Sequence, residues 1–231
     1  MDRNLNEWYH TYHADLNRVN YGMKFTHYNL SGRGDQMNII AMNGLSRNFY
    51  VSYIAPYSNP KLTEGFSFSM NFSQSKEIIY NTTYNNQYQI FRNDSFCRTS
   101  ANISASYRKR KGYYNRQLFE MQYNYVELHD SILTARYNPG IFNLPQSHIA
   151  FPDFIYIWQY TNVDNVNFPL KGKAFVFAAV KRGWGWKGGM NMLSLEGGYN
   201  RYIKLPAHFY ARLQSSAKIR FPFALSYINS H

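Results

Sequence analysis

Glu7, His10 and His13 carry the ligand types of a zinc site, but they sit in a Tyr- and Trp-rich lead-in and lack a zinc motif's spacing. Arg33-Gly34-Asp35 spells the integrin-binding tripeptide inside "SGRGDQ", where the flanking glycines make it a turn. Cys97 is the one cysteine, so no intrachain disulfide and no cysteine-rich metal site can form. Asn-x-Ser/Thr triplets such as "NFS" and "NTT" follow from the abundance of those residues. There is no Ser-His-Asp set, no carboxylate pair in a helical frame and no phosphate-cradling loop. The expectation is a protein without a reaction of its own and without metal or cofactor. One cluster fits a different chemistry. In "KRGWGWKGG", Trp184 and Trp186 lie beside Lys181, Arg182 and Lys187. Indole rings partition to a membrane interface, where the cations can meet lipid phosphates. Anchoring is the simpler reading and specific lipid binding the sharper one.

The elements that would hold such a cluster at a membrane must themselves cross it. Of the 231 residues 19% are aromatic, including 22 Tyr and 17 Phe, and only 16% are charged. Soluble domains carry roughly 25% charged residues. The mean hydropathy is −0.52, and the longest apolar run, Ala174 to Val180, is far below the ~18 residues of a spanning helix. Many aromatics, few charges and no hydropathy peak fit a transmembrane β-barrel, in which the two faces of each strand average out. The net charge of +12 is dispersed, and its main cluster, "RKRKG" at 108–112, falls in a turn, so no nucleic-acid partner is expected.

Alternation of period two runs almost from end to end. In "EGFSFSMNFSQS", Phe66, Phe68, Met70 and Phe72 share one parity, while Gly65, Ser67, Ser69, Asn71 and Ser73 share the other. "FIYIWQY" aligns Phe154, Tyr156, Trp158 and Tyr160 in the same way. Similar stretches start near Val19, Gln36, Phe49, Thr99, Phe119, Lys173, Leu193 and His208, giving about ten strands of ~9–12 residues. Lys24, Glu120, Glu196, Arg212 and Lys218 all fall on the polar parity. That parity is otherwise Ser, Asn, Gln, Gly and Thr, short groups suited to a crowded aqueous lumen. The aromatic parity, with Phe66, Phe68, Met70, Phe72, Phe154, Tyr156, Trp158 and Tyr160, is expected to face lipid. The alternative is a soluble β-sandwich binding module that buries those rows against each other. Short connections recur at one end of an up-and-down meander, and two long ones, near 74–96 and 128–152, fall at the other.

Three motifs punctuate this meander. Asn29-Leu30-x-Gly32-x-Gly34 ends an early strand, Ser52-Tyr53-x-x-Pro56-Tyr57 ends a later one, and Asp164-x-x-x-x-Phe168-Pro169-x-x-Gly172 forms a turn. In these sequences and their order the chain resembles the barrel of the BamA-like outer-membrane assembly factors, the bacterial surface antigen superfamily, in its Bacteroidetes versions. The last motif lacks the arginine the family usually carries there. The resemblance implies an all-β transmembrane barrel. Residues 1–18 would lead into it and 19–231 would supply about ten strands of a larger, even-numbered barrel, without the periplasmic POTRA domains or the last strands. It also implies a place in the outer membrane of a Gram-negative bacterium. Its partners would be outer-membrane lipids, unfolded outer-membrane protein clients or a translocated substrate, and accessory lipoproteins. The role would be assembly and insertion of other barrels or translocation of a client, with a passive transport pore as the alternative.

Overall fold

The computed structural model describes residues 5–10, 13–15, 19–82, 88–134, 137, 141–142, 146–185, 190–206 and 209–224. Ten strands form one antiparallel sheet whose order in space is their order in sequence. They are β1 (Tyr21–Tyr28), β2 (Gln36–Asn43), β3 (Ser46–Ala55), β4 (Glu64–Ser75), β7 (Arg98–Lys111), β8 (Asn115–Leu128), β9 (His148–Val163), β10 (Gly172–Arg182), β11 (Asn191–Lys204) and β12 (Tyr210–Ala224). The remaining two, β5 (Glu77–Thr82) and β6 (Tyr88–Arg92), make a separate hairpin within the long connection after β4. A six-residue helix, α1 (Leu5–His10), lies in the lead-in. No helix among the described residues is long and apolar enough to cross a membrane.

The strands split by parity as their sequences require, because successive side chains point to opposite faces. Phe66, Phe68, Met70 and Phe72 are exposed, Phe68 at 46%, while Ser67, Ser69, Asn71 and Ser73 between them are less so. The register carries this division sideways. Phe49, Phe72 and Ala101 are successive partners, as are Tyr107, Phe119 and Tyr156. One face is therefore a continuous aromatic and aliphatic surface from β1 to β12. Among the described residues no second sheet covers it, so the sandwich alternative does not hold.

The cluster of buried apolar residues among the described residues sits elsewhere. Ile78, Phe91, Ile132, Ile141 and Phe142, from the two long connections, pack on Val126, Leu128, Ile149, Phe151 and Met192 at the strand ends. Those strand residues all belong to the polar parity, so the long connections fold over the polar face at one end. The short turns, 29–35, 56–63, 112–114 and 164–171, gather at the other end, where Leu205 N also donates to the Phe209 carbonyl. The second long connection is shorter than its sequence suggests. β9 starts at His148, since the alternation continues through Ile149, Phe151 and Asp153.

Each of β1 and β12 has hydrogen-bonded neighbours on one side only. In hydrocarbon every unpaired backbone group costs several kcal/mol. This chain refolded alone in detergent is therefore expected not to give a monomer that resists heat and protease. A monomer surviving both would mean that β1 and β12 can close on each other.

Candidate functional site

The polar face is bonded laterally from strand to strand. Thr26 donates to Asn38 Oδ1 at 3.0 Å, and Asn38 Nδ2 donates to Ser52 Oγ at 3.3 Å. Across β4 and β7, Ser67 meets Ser106 at 2.6 Å, Ser69 meets Ser104 at 2.8 Å and Ser73 meets Ser100 at 2.8 Å. Asn102 Nδ2 donates to Asn124 Oδ1 at 2.7 Å across β7 and β8. Direct cross-strand neighbours of small polar type satisfy one another, which explains why Ser and Asn dominate this parity. The same rows end in an ion pair. Asp153, 2% exposed, accepts from Arg182 Nε at 3.2 Å across β9 and β10. The pair lines a cavity of about 310 Å³ into which Arg98, Asn71 and Asn124 also project.

On the aromatic face the rings pack sideways. Phe119 and Tyr156 have centroids 4.8 Å apart, and Trp158 and Phe175 are 5.1 Å apart. Tyr156, Trp158 and Tyr160 are consequently half-buried, whereas Phe154 is exposed. β10 carries a lysine at each end of its aromatic-face row, Lys173 and Lys181, with Phe175, Phe177 and Ala179 between them. The lysines are eight residues apart, about 27 Å of strand at ~3.4 Å per residue. At the ~40° tilt of barrel strands that is roughly 20 Å of depth, close to the ~25 Å apolar band of outer-membrane barrels. Lys173 lies over the Tyr160 ring at 5.9 Å. Lys181 lies over Trp184 at 5.5 Å and Phe223 at 5.4 Å, and donates to Asn191. Trp184 is exposed and meets Phe154 edge-on at 5.9 Å. Lys181 and Trp184 therefore share one face, while Arg182 turns to the opposite one. Trp186 and Lys187 lie outside the described residues.

The turn motifs have structural explanations. Asn29 has φ of 61°, and its Oδ1 accepts from Gly34 N at 2.8 Å while Gly32 and Gly34 take φ of 80° and 73°. The Asp35 carboxylate is buried, accepting from Ser31 N at 2.9 Å and from the Tyr53 hydroxyl at 2.8 Å. Those bonds, Ser31 N–H foremost, hold it below the ordinary carboxylate range. A carboxylate so engaged is not presented to a receptor, which leaves Arg33-Gly34-Asp35 as a turn. Asp164 Oδ1 gathers the N–H groups of Asn165, Leu170 and Lys171 at 3.0, 2.9 and 3.0 Å. These bonds, with Lys171 first, lower its pKa too. Gly172 follows at φ of 117°, where a Cβ would lie 2.1 Å from the Asn162 carbonyl oxygen. Phe168 projects outward, 71% exposed, beside Pro169. Pro56 ends the β3 run, and Tyr57 is exposed beside it.

Three features of the site escape a strand-by-strand reading: the Asp153–Arg182 pair, the flanking lysines of β10, and a basic cluster of Arg108, Arg110 and Arg116 on the polar face. Each needs the register between strands, which single-strand alternation does not contain. "RKRKG" was visible in the sequence, but Arg108 to Lys111 belong to β7 and not to the turn expected there, because the alternation continues to the strand's end.

Residues 29–231 match the model of the Omp85 superfamily domain. No curated protein matches the sequence significantly. Among solved structures the chain is similar to the crystal structure of BamA from Haemophilus ducreyi lacking POTRA domains 1–3, with a TM-score of 0.60 and 15% identity. The match covers 89% of this chain and 40% of that one, so the chain spans less than half the length of that relative.

Two outcomes test this geometry. Phe68→Arg, on the aromatic face, is expected to destabilise the bilayer-inserted protein by about 2–4 kcal/mol, and Ser69→Arg, on the other face, by clearly less; urea titration in lipid vesicles measures both. Asp35 and Asp164 have lowered pKa values, so their stabilisation is complete above the ordinary carboxylate pKa of about 3.9. It is lost as pH falls through the lowered values. Asp35→Asn/Asp164→Asn is expected to flatten the pH dependence of unfolding below about pH 4.

Proposed function

The chain belongs to the Omp85 superfamily, and we propose that it forms part of an outer-membrane barrel wall that assists insertion and folding of other outer-membrane proteins, or translocation of a client. The observation that carries this reading is the aromatic surface spanning ten strands without a covering layer. Phe66, Phe68, Met70, Phe72, Phe154, Tyr156, Trp158 and Tyr160 would face hydrocarbon, and Trp184 and Trp186 its interface. The laterally bonded Ser and Asn rows would line the lumen. The compartment is then the outer membrane of a Gram-negative bacterium.

The work proposed is mechanical. A barrel whose seam is weakly sealed lets an incoming strand pair with an exposed edge, and main-chain hydrogen bonds supply the affinity. The protein contributes a scaffold rigid enough to hold that edge open. Here the scaffold is the registered sheet, the cation- and tryptophan-marked rims and the side-chain-tied turns. The partners are outer-membrane lipids, unfolded client barrels or a translocated substrate, and accessory lipoproteins.

A passive transport pore is the second reading, favoured by the polar face itself. Against it, the two long connections pack a core of Ile78 and Phe91 with Ile132, Ile141 and Phe142 over that face at one end, which would obstruct a permanently open channel. The two readings separate in the full-length parent. Photo-crosslinkers along its seam are expected to capture nascent barrel strands, and depletion is expected to lower the level of assembled outer-membrane proteins. Steady ion conductance with normal assembly after depletion would favour the pore.

A further inference from the structure

β7 and β8 place two arginines directly opposite each other on the polar face, Arg110 and Arg116. Like charges in that position repel, and sheets ordinarily avoid them. A third, Arg108, lies on the same face, opposite Leu118. All three line a cavity of about 430 Å³ at the short-turn end, beneath the turn that connects β3 to β4. No Asp or Glu is among its lining residues. The Arg110 Nε is buried and has no hydrogen-bond partner. Repulsion, an idle buried donor and a lining without a carboxylate, with Glu120 on the same face engaged by Gln122, together describe a site built for an anion that arrives from outside.

The rest of the lining narrows the class of anion. Leu118 and Ile157 are direct neighbours across β8 and β9, and Leu62 closes over them from the turn. Beyond the cavity the apolar strip continues along the polar face, through Ala178 beside Ile157 and Val180 beside Ile155. Here, away from the core under the long connections, the parity mostly given to Ser and Asn turns aliphatic on two adjacent strands. A bare phosphate would leave that surface against water. A peptide would find no main-chain partner there, since β7, β8 and β9 are hydrogen-bonded on both sides and its amides would be stranded over Leu118 and Ile157. A hydrocarbon chain has no such requirement.

We infer that this lumenal cavity binds an anionic amphiphile, with Arg108, Arg110 and Arg116 holding a phosphate or carboxylate head and the Leu118–Ile157 strip receiving its hydrocarbon. Guanidinium groups suit the head because their planar forks match the oxygens of either anion. The strip and the arginines adjoin, so head and chain are bound together rather than at two sites. Nothing in the insertion or translocation reading calls for such a pocket.

The test uses the full-length parent in nanodiscs, with hexyl phosphate, inorganic phosphate, hexanol and a short acidic peptide as probes. The readouts are the melting temperature and ³¹P line broadening. Hexyl phosphate is expected to raise the melting temperature saturably, at about tenfold lower concentration than inorganic phosphate, the factor that burying two methylene groups contributes. Hexanol is expected to do nothing. Arg116→Gln and, independently, Arg110→Gln are expected to abolish the response while leaving the ligand-free melting temperature unchanged or higher, because the opposed charges are relieved. Leu118→Asn is expected to bring hexyl phosphate down to the level of inorganic phosphate. Equal half-saturation for the two phosphates in the unaltered protein would mean a bare anion site and overturn the inference. So would a stronger response to the acidic peptide, no response to hexyl phosphate, or a response unaffected by both arginine substitutions.

Discussion

Register between neighbouring strands is the constraint on which the rest of the molecule depends. A slip of one residue in any pairing would move Phe68 or Met121 to the polar face and bring Ser69 or Gln122 to the aromatic one. With the aromatic face in hydrocarbon, as proposed, each large apolar side chain so misplaced would forfeit ~1.5–3 kcal/mol. The lateral pairs Ser67–Ser106, Ser69–Ser104 and Asn102–Asn124 oppose the same slip from the other side, since each would lose its partner. The two faces thus enforce a single alignment by different physics, one through apolar area and the other through hydrogen bonds. The antiparallel order and the placement of rims and cavity all follow from that alignment.

The ends of the sheet divide the labour. At the short-turn end side-chain oxygens replace missing backbone partners, as with Asn29 Oδ1 for Gly34 and Asp164 Oδ1 for Leu170 and Lys171. Turns tied in this way hold adjacent strands in step without a hydrophobic core. At the opposite end the core does that work. Leu128, Ile132, Phe142, Ile149 and Met190 are almost wholly buried, in a chain whose aromatic face is open. Cys97 belongs to this cluster, and burial pushes its thiol up to about 11, so it is a packing residue in its neutral form.

Much of this was legible in the sequence, for a definable reason. Period-two alternation is a local property, so the ten strands, their faces and the short-turn and long-loop ends could be read from Phe66 to Phe72 or Phe154 to Tyr160 alone. The three turn motifs were legible because Gly34, Pro169 and Gly172 have few other uses. Four things were not. The β5–β6 hairpin is short and alternates weakly, and α1 is a single short helix, below the length at which periodicity speaks. The partnership of Asp153 with Arg182 depends on which residues face each other across β9 and β10. The same holds for Arg182's departure from Lys181 and Trp184: adjacent residues in a strand point opposite ways, so a cluster in sequence is split in space.

The places where the pattern breaks are more informative than those where it holds. A wall required only to separate hydrocarbon from water would continue its Ser and Asn rows across β9 and β10. Instead Ile155, Ile157, Val176, Ala178 and Val180 make β10 and its neighbour apolar on both faces. A fully buried strand has that character, yet among the described residues no second sheet covers this one. Beside the strip, Arg110 and Arg116 are held in mutual opposition although Glu120, four residues from Arg116, shares their face and instead accepts from Gln122 at 2.6 Å. Local rules are broken at functional sites more often than elsewhere, because packing and electrostatics there serve an occupant rather than the empty fold. An aliphatic strip and an uncompensated guanidinium pair, adjacent on one wall, break two such rules in a way that a single amphiphilic ligand would mend.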